Sequence, residues 1–437
     1  MSNSSVGQMT EQLPRRSGDH DTQRSAVAGR TAPDCLPWPA LITMTVAVFV
    51  VVSGEMMPTA VLPQLATGLD VSLARAGLLV SAWALTVVVA SFPLVRVTAR
   101  VPRPTIIAGA LLVAAIATVV TATTSDYPVA MASRLVAAAA TGLLWSTINA
   151  HTAAIVPAGQ IGRATAVVLF GGTLGTVAAI PAGNAIAPWI GWRAPFLALA
   201  VLTLMAAAAI VLVLRHHPIR REAGAGEIGT GARGRLRGLG PVLVTAALGG
   251  SLLVGHFIAF TFVAELLQPS SVPTPVLLLI FGLVGGGGVL LVGATTDRYP
   301  AAVPIVLAAA MMLSLVGLML LGRSTVADLG VVLVWGVAVG GLGPAIQARM
   351  MRLAGTKHRT TAGTLMPVAM NLGIAAGSAV GSGVLEGASL EALAPVALIP
   401  TVLALLGFTV LAGAARGGTD RSGRLIHNRP TREPEIR

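Results

Sequence analysis

Twelve apolar stretches, each about long enough to cross a bilayer, follow one another between residues 38 and 415. A spanning helix needs roughly 20 mostly apolar residues. Within lipid its backbone N–H and C=O groups must be satisfied inside the segment itself. A chain built this way has few options beyond an all-α bundle of transmembrane helices. Charge agrees: 11% of residues are charged, against about 25% in soluble proteins. A disordered chain, a disulfide scaffold and a secreted enzyme are all poor fits. The single Cys35 cannot form an intramolecular disulfide.

The first six stretches cover 38–65, 75–97, 105–123, 128–156, 162–188 and 194–214, and the second six cover 241–267, 274–296, 302–322, 327–354, 361–386 and 391–415. Between them lies 215–240, rich in Arg and Gly, which reads as a cytoplasmic linker. The organisation expected is a disordered cytoplasmic tail over 1–36, a six-helix half over 37–214, the linker, a second half over 241–415 and a tail over 416–437. The first tail lacks the apolar core of a signal peptide. With the N-terminus inside, 25 basic residues fall on the cytoplasmic side, three fall outside (Arg75, Arg193 and Arg323), and Arg134 falls within a span. That bias predicts a multi-pass protein of a bacterial cytoplasmic membrane with both termini inside. The net charge of +12 is thereby explained without a nucleic-acid partner. Of the 29 basic residues only Lys357 is lysine, which fits the codon bias of a GC-rich genome.

An internal repeat supports two halves. Thr98, Arg100 and Pro102 return as Thr296, Arg298 and Pro300, a shift of 198 residues. The same shift relates Gly142, Ile148 and Ala150 to Gly340, Ile346 and Ala348, and Leu174, Gly175 and Gly183 to Leu372, Gly373 and Gly381. Two parallel six-helix repeats with a substrate site between them near the midplane are an established transporter plan.

Several stretches carry a resemblance: GEMMPTAVLPQLATGLDVS in span 1, a basic, Pro-containing 2–3 loop, RATAVVLFGGTLGTVAAIPAGNAIAPWIGWRAPF in span 5 and NLGIAAGSAVG in span 11. Together they resemble the twelve-helix drug:proton antiporters of the major facilitator superfamily. The branch is similar to chloramphenicol-resistance, nucleoside and arabinose-efflux-like exporters. The resemblance implies proton-coupled efflux of a small amphipathic drug by alternating access, with chloramphenicol the first candidate. A sugar, nucleoside or other endogenous metabolite is the alternative. It implies a monomer that uses protons and a lipid bilayer, no cofactor, and gating by Arg100, Arg103, Asp297 and Arg298. Departures occur at Ala99, where the family usually has Asp, at Ile180, where it has Gly, and around Arg134, which lacks the usual Gln.

Single residues add chemistry. An ionisable group inside a span costs on the order of 2.5–3.5 kcal/mol and is a functional candidate by default. Glu55 is such a group. Desolvation disfavours a bare carboxylate, so Glu55 is the expected proton carrier, unless it lies near the surface and is merely solvated. Arg134 sits roughly 9 Å below the outer end of span 4 and Glu55 roughly 15 Å below that of span 1, counting about 1.5 Å per residue. A side-chain pair between them is expected, either responsive to a proton or purely structural. Met56, Met57, Trp83, Trp145, Asn149, His151, His256, Phe257, Phe260, Gln347, Met366, Met370 and Asn371 are candidates for the cavity wall, which is soft, apolar and sparsely polar. Some of the apolar ones are equally candidates to face lipid, and His151 and His256 to be packed core histidines. Gly175, Pro181, Gly183 and Gly373 are expected in close helix packing. Enzyme chemistry is not expected: there is no Gly-Lys-Ser/Thr phosphate loop, and no Cys/His cluster has zinc spacing.

Overall fold

In a computed structural model, residues 36–157, 160–214, 239–354 and 358–427 are described. The expected tail over 1–36 and linker over 215–240 fall almost wholly outside them. Trp38–Arg437 form one compact unit, and Met1–Pro37 belong to another. The described part is helical and contains no strand.

The long helices are α1 Trp38–Ala60, α2 Leu73–Val97, α3 Arg103–Thr123, α4 Tyr127–Ile155, α5 Ile161–Ile190 and α6 Arg193–Leu214, then α7 Gly240–Phe260, α8 Thr274–Thr295, α9 Ala302–Leu318, α10 Thr325–Ala354, α11 Arg359–Gly387 and α12 Leu393–His427. Eleven are long and apolar enough to cross a membrane, and α9 is a shorter apolar helix.

Four bounds differ from the sequence reading. Span 1 breaks after Ala60 and resumes as the short helix Leu62–Gly68, with a proline in its first turn. Pro63 there has no N–H to continue the ladder. Span 7 breaks after Phe260 and resumes as Val263–Leu266, where the Thr261 hydroxyl donates to the Phe257 carbonyl at 2.7 Å. The ninth helix stops at Leu318 and not 322, because Gly322 turns with φ +83 and its N–H donates to Asp328 Oδ1 at 3.1 Å. At the chain's end, α12 runs on to His427, past the expected boundary at 415.

Packing repeats along the chain. The pairs α1–α5, α1–α6, α2–α4, α3–α4 and α3–α6 recur as α7–α11, α7–α12, α8–α10, α9–α10 and α9–α12. Across the two sets, α2 packs on α11 and α5 on α8, the same contact under exchange of the sets. The fold is therefore two six-helix halves joined along two seams. Glycine makes some crossings possible. A β carbon on Gly340 would lie 1.9 Å from the Gly285 carbonyl oxygen, so α10 and α8 touch backbone to backbone there. Equivalent added carbons would meet the Phe49 carbonyl oxygen at 2.9 Å from Gly175, Met57 Sδ at 2.8 Å from Gly183 and the Gly250 carbonyl oxygen at 2.7 Å from Gly373. Pro181 lies inside α5 and is buried.

Gly340→Ala should force α8 and α10 apart and cost about 1–3 kcal/mol, the usual range for overpacking. Gly287→Ala meets nothing within 4 Å and should be neutral. Thermal unfolding of the two purified variants checks this; equal melting temperatures would show that the crossing tolerates a side chain.

Candidate functional site

A proline creates the centre of the site. In an α-helix the N–H of residue i+4 donates to the carbonyl of residue i. Pro58 stands four residues after Gly54 and has no N–H, so the Gly54 carbonyl lacks its helical donor. Arg134 of α4 supplies one: its Nη1–H donates to the Gly54 oxygen at 2.7 Å, and its Nη2–H reaches the Glu55 carbonyl oxygen at 3.3 Å. The guanidinium also lies over the Trp83 ring of α2, 4.0 Å from the centroid. Arg134 is 2% exposed and Trp83 3%. One side chain thus ties α1, α2 and α4 together. Charge-assisted hydrogen bonds contribute about 1.5–3 kcal/mol, and a desolvated cation–π contact about 2 kcal/mol. These offset the burial of the cation.

The expected Glu55–Arg134 ion pair is corrected by this geometry. The guanidinium bonds backbone oxygens, and the ion pair found among the described residues is Arg352–Asp297. Glu55 is half-buried. On α1, Thr45, Phe49, Val52 and Glu55 are partly accessible at helical spacing, while 56–62 are all buried. On α7 the accessible positions end at Val254, and 255–264 are all buried. Both tracks therefore stop at one level of the repeat, and Glu55 stands at the end of one. Beyond that level the halves touch: a β carbon on Gly77 of α2 would meet Ser382 Oγ of α11 at 2.6 Å and the Phe262 ring at 2.8 Å.

The remaining candidates separate by burial. Trp145, Asn149, Gln347, Met370 and Asn371 are accessible or half-buried. Asn149 and Gln347 occupy equivalent repeat positions on α4 and α10. The Asn149 amide donates to the Trp145 carbonyl at 3.1 Å and the Asn371 amide to that of Pro367 at 3.0 Å. Met56, Met57, Trp83, His151, His256, Phe257, Phe260 and Met366 are buried, so here they are packed in the protein and do not line an open wall. His256, Phe257 and Phe260 belong to an aromatic cluster with Phe281 and Trp335. There the Trp335 indole N–H donates to His256 Nδ1 at 3.1 Å.

Polar contacts gather at the end where α2 meets α3 and α8 meets α9. Asp297, 94% exposed, pairs with Arg352 at 3.0 Å. An Arg103 N–H donates to the Ala150 carbonyl at 3.1 Å, and an Arg349 N–H to that of Pro300 at 3.4 Å. The repeat relates positions 102 and 150 to 300 and 348, so both halves close the same corner with the donor on opposite sides. Asp297 and Arg352 correspond to Ala99 and Ala154; the ion pair has no counterpart in the first half. Arg100 and Arg298 are exposed, and Arg298 lies 5.5 Å from the Tyr299 ring centroid.

Sequence reading missed Pro58 as the origin of the Arg134 anchor, Trp83 as its platform, and Trp335 and Phe281 as partners of His256. The Gly54–Pro58 spacing was a usable signal for the first. The others depend on which way each helix faces.

Comparison with known proteins gives a consistent result. The family model described as Major Facilitator Superfamily matches residues 44–378. A chloramphenicol resistance protein of Streptomyces lividans is 36% identical over 352 residues, covering 79% of this chain and 88% of its own. A chloramphenicol efflux pump of Mycobacterium tuberculosis is 31% identical over 407 residues, covering 88% and 96%. Among solved structures, the nucleoside transporter NupG aligns with a TM-score of 0.68 at 14% identity over 85% of this chain and 98% of that one. A bacterial homolog of the human lysosomal transporter Spinster, inward-facing and unoccupied, aligns with a TM-score of 0.66 at 17% identity over 87% and 96%. At such identities the structures show the fold alone.

Arg134→Ala should leave the Gly54 carbonyl unpaired, at a cost of about 1–3 kcal/mol. In a Pro58→Ala background that carbonyl regains a helical donor, so the same substitution should cost about 1 kcal/mol less. A double-mutant cycle on denaturant unfolding measures the coupling; strict additivity would show that Pro58 does not create the anchor.

Proposed function

The chain belongs to the major facilitator superfamily, and we propose that it exports a small amphipathic drug, chloramphenicol foremost, in exchange for protons by alternating access. A sugar, nucleoside or other metabolite exporter is the second reading. That the chain is a transporter and not an enzyme follows from the family. The drug comes from the names of two relatives at 36% and 31% identity. The coupling comes from the site.

One observation carries the proton reading: Glu55 is a half-buried acid where the accessible track on α1 ends, beside an arginine whose two terminal nitrogens donate to backbone oxygens. An acid whose carboxylate is not locked in an ion pair can gain and lose a proton as access changes. Arg134 stays in place throughout and senses that charge. Glu55, Trp145, Asn149, Gln347, Met370 and Asn371 then form the substrate wall, with polar groups for the drug's hydroxyl and nitro oxygens and apolar surface for its ring.

In this reading the Arg-rich end is cytoplasmic, the membrane is the bacterial cell membrane, both termini lie inside, and the protein acts as a monomer. The contacts of Gly77 with Ser382 and Phe262 close the outer side, and the Asp297–Arg352 corner is a cytoplasmic latch in the second half. Metal and cofactor have no part in the cycle.

Cells expressing the chain should accumulate less labelled chloramphenicol than empty-vector cells, and an uncoupler should abolish the difference. Glu55→Gln should abolish it too while the protein remains in the membrane. Equal accumulation with the wild-type protein present would remove chloramphenicol and bring the metabolite reading forward.

Asp297→Asn should slow turnover several-fold, with drug affinity changed by less than about twofold, since a lost exposed ion pair is worth only about 0–1 kcal/mol to any one state. Transport and equilibrium binding on the same preparation decide it. A large loss of binding at normal turnover would place Asp297 in the substrate site.

A further inference from the structure

Arg134 Nε and Trp83 Nε1 are buried donors with no hydrogen-bond partner among the described residues. They belong to two side chains in contact, with the guanidinium 4.0 Å from the indole centroid. Native proteins rarely leave buried donors unpaired, and each such case calls for a reason. The fold itself does not require these. The repeat places Val332 where Arg134 stands, Phe281 where Trp83 stands and Leu253 where Glu55 stands. All three are buried apolar residues. The second half therefore builds the same junction with no donor at these positions.

We propose that Trp83 is a positioning residue of the coupling site: Trp83 Nε1–H and Arg134 Nε–H form a two-donor seat for the Glu55 carboxylate once Glu55 has lost its proton. The proposal rests on Glu55 being the proton carrier. Arg134 Nη2 already lies 3.3 Å from the backbone oxygen of Glu55, so the carboxyl on that residue is within a side chain's reach of the seat. An ionised carboxylate is acceptor-only and can take both N–H groups. A carboxylic acid carries an O–H donor and has fewer acceptor positions to offer. The proton that leaves passes to water in the accessible track, and no other bond changes.

Trp83 adds two things. Its ring face holds the guanidinium by a cation–π contact, and its N–H supplies the second donor. Charged groups on the helices packed against α4 are few. Besides Glu55 on α1, they are Arg75 and Arg96 on α2, Arg103 on α3 and Arg163 on α5. Arg75 stacks on Tyr127 at the opposite end of α4 from Arg103, and Arg103 bonds the Ala150 carbonyl. Of these groups, Glu55 is the one whose own residue touches Arg134, through its backbone oxygen.

The test reads the indole N–H directly. Ultraviolet resonance Raman spectra of purified wild-type protein and of Glu55→Gln are taken at acid and alkaline pH. Spectra of the same proteins carrying Trp83→Phe are subtracted to isolate Trp83, with Trp83→Tyr as reference should the Phe variant not accumulate. In wild type the Trp83 N–H should gain a hydrogen-bond acceptor on going to alkaline pH, and in Glu55→Gln it should not. No change in wild type, or the same change in Glu55→Gln, overturns the seat. Trp83→Phe keeps an aromatic face, smaller than the indole, and deletes the donor, so it should lower turnover about tenfold, as expected for one hydrogen bond to a charged group, with KM within about twofold. A rise in KM at normal turnover would instead make Trp83 a substrate contact. The Raman arm uses no drug. If chloramphenicol proves not to be carried while the N–H still responds, the substrate reading falls and the seat stands.

Discussion

Gly54 has a carbonyl without a helical donor because Pro58 has no N–H, and the donor it receives comes from another helix. That bond, Arg134 Nη1–H to Gly54 at 2.7 Å, places a cation inside the first half. Trp83 then stacks beneath it, and Glu55 is left with a carboxyl free of an ion pair. The backbone anchor holds the Nη donors of Arg134 on α1 independently of the Glu55 side chain, and leaves Nε without a partner among the described residues.

The two halves share a packing scheme and differ in the chemistry at its centre. The α1–α2–α4 junction is charged and hydrogen-bonded. Its repeat partner, α7–α8–α10, is an aromatic cluster of His256, Phe260, Phe281 and Trp335, closed by one indole–imidazole bond. At the polar end the asymmetry is reversed, since the Asp297–Arg352 pair belongs to the second half and alanines fill the equivalent places in the first. The asymmetry is one of chemistry: a buried cation centres the junction of the first half, and the exposed ion pair belongs to the second. The glycine crossing of Gly340 on Gly285 brings α8 and α10 together backbone to backbone.

Much of the fold was legible because spanning length is a hard constraint: the twelve stretches match twelve helices, and the basic residues mark one end. The breaks after Ala60 and Phe260 were not read. One needs the position of Pro63 within a continuing apolar run, and the other has no proline at all. Facing was the larger gap. A soluble helix shows its buried side by contrast with a polar one, but here lipid-facing and core-facing positions are both apolar. Met57, Trp83, His256 and Phe260 were therefore placed on the cavity wall, and the structure packs them inside. Asn149, Gln347 and Asn371 stood out because polar groups in a span are costly anywhere but near water or a partner, and all three are accessible or half-buried. Glu55 and Arg134 stood out for the same reason, yet their partners did not, because a backbone carbonyl freed by a proline leaves no side-chain signature.

In the proposed cycle Glu55 gives up a proton when drug binds, while Arg134 remains anchored to α1. Proton release on adding chloramphenicol to purified protein in weakly buffered detergent solution measures this most directly. Release should saturate with drug in the wild-type protein and be absent in Glu55→Gln, with binding of the drug still detectable in that variant. Equal release from Glu55→Gln would contradict it and move the proton site elsewhere.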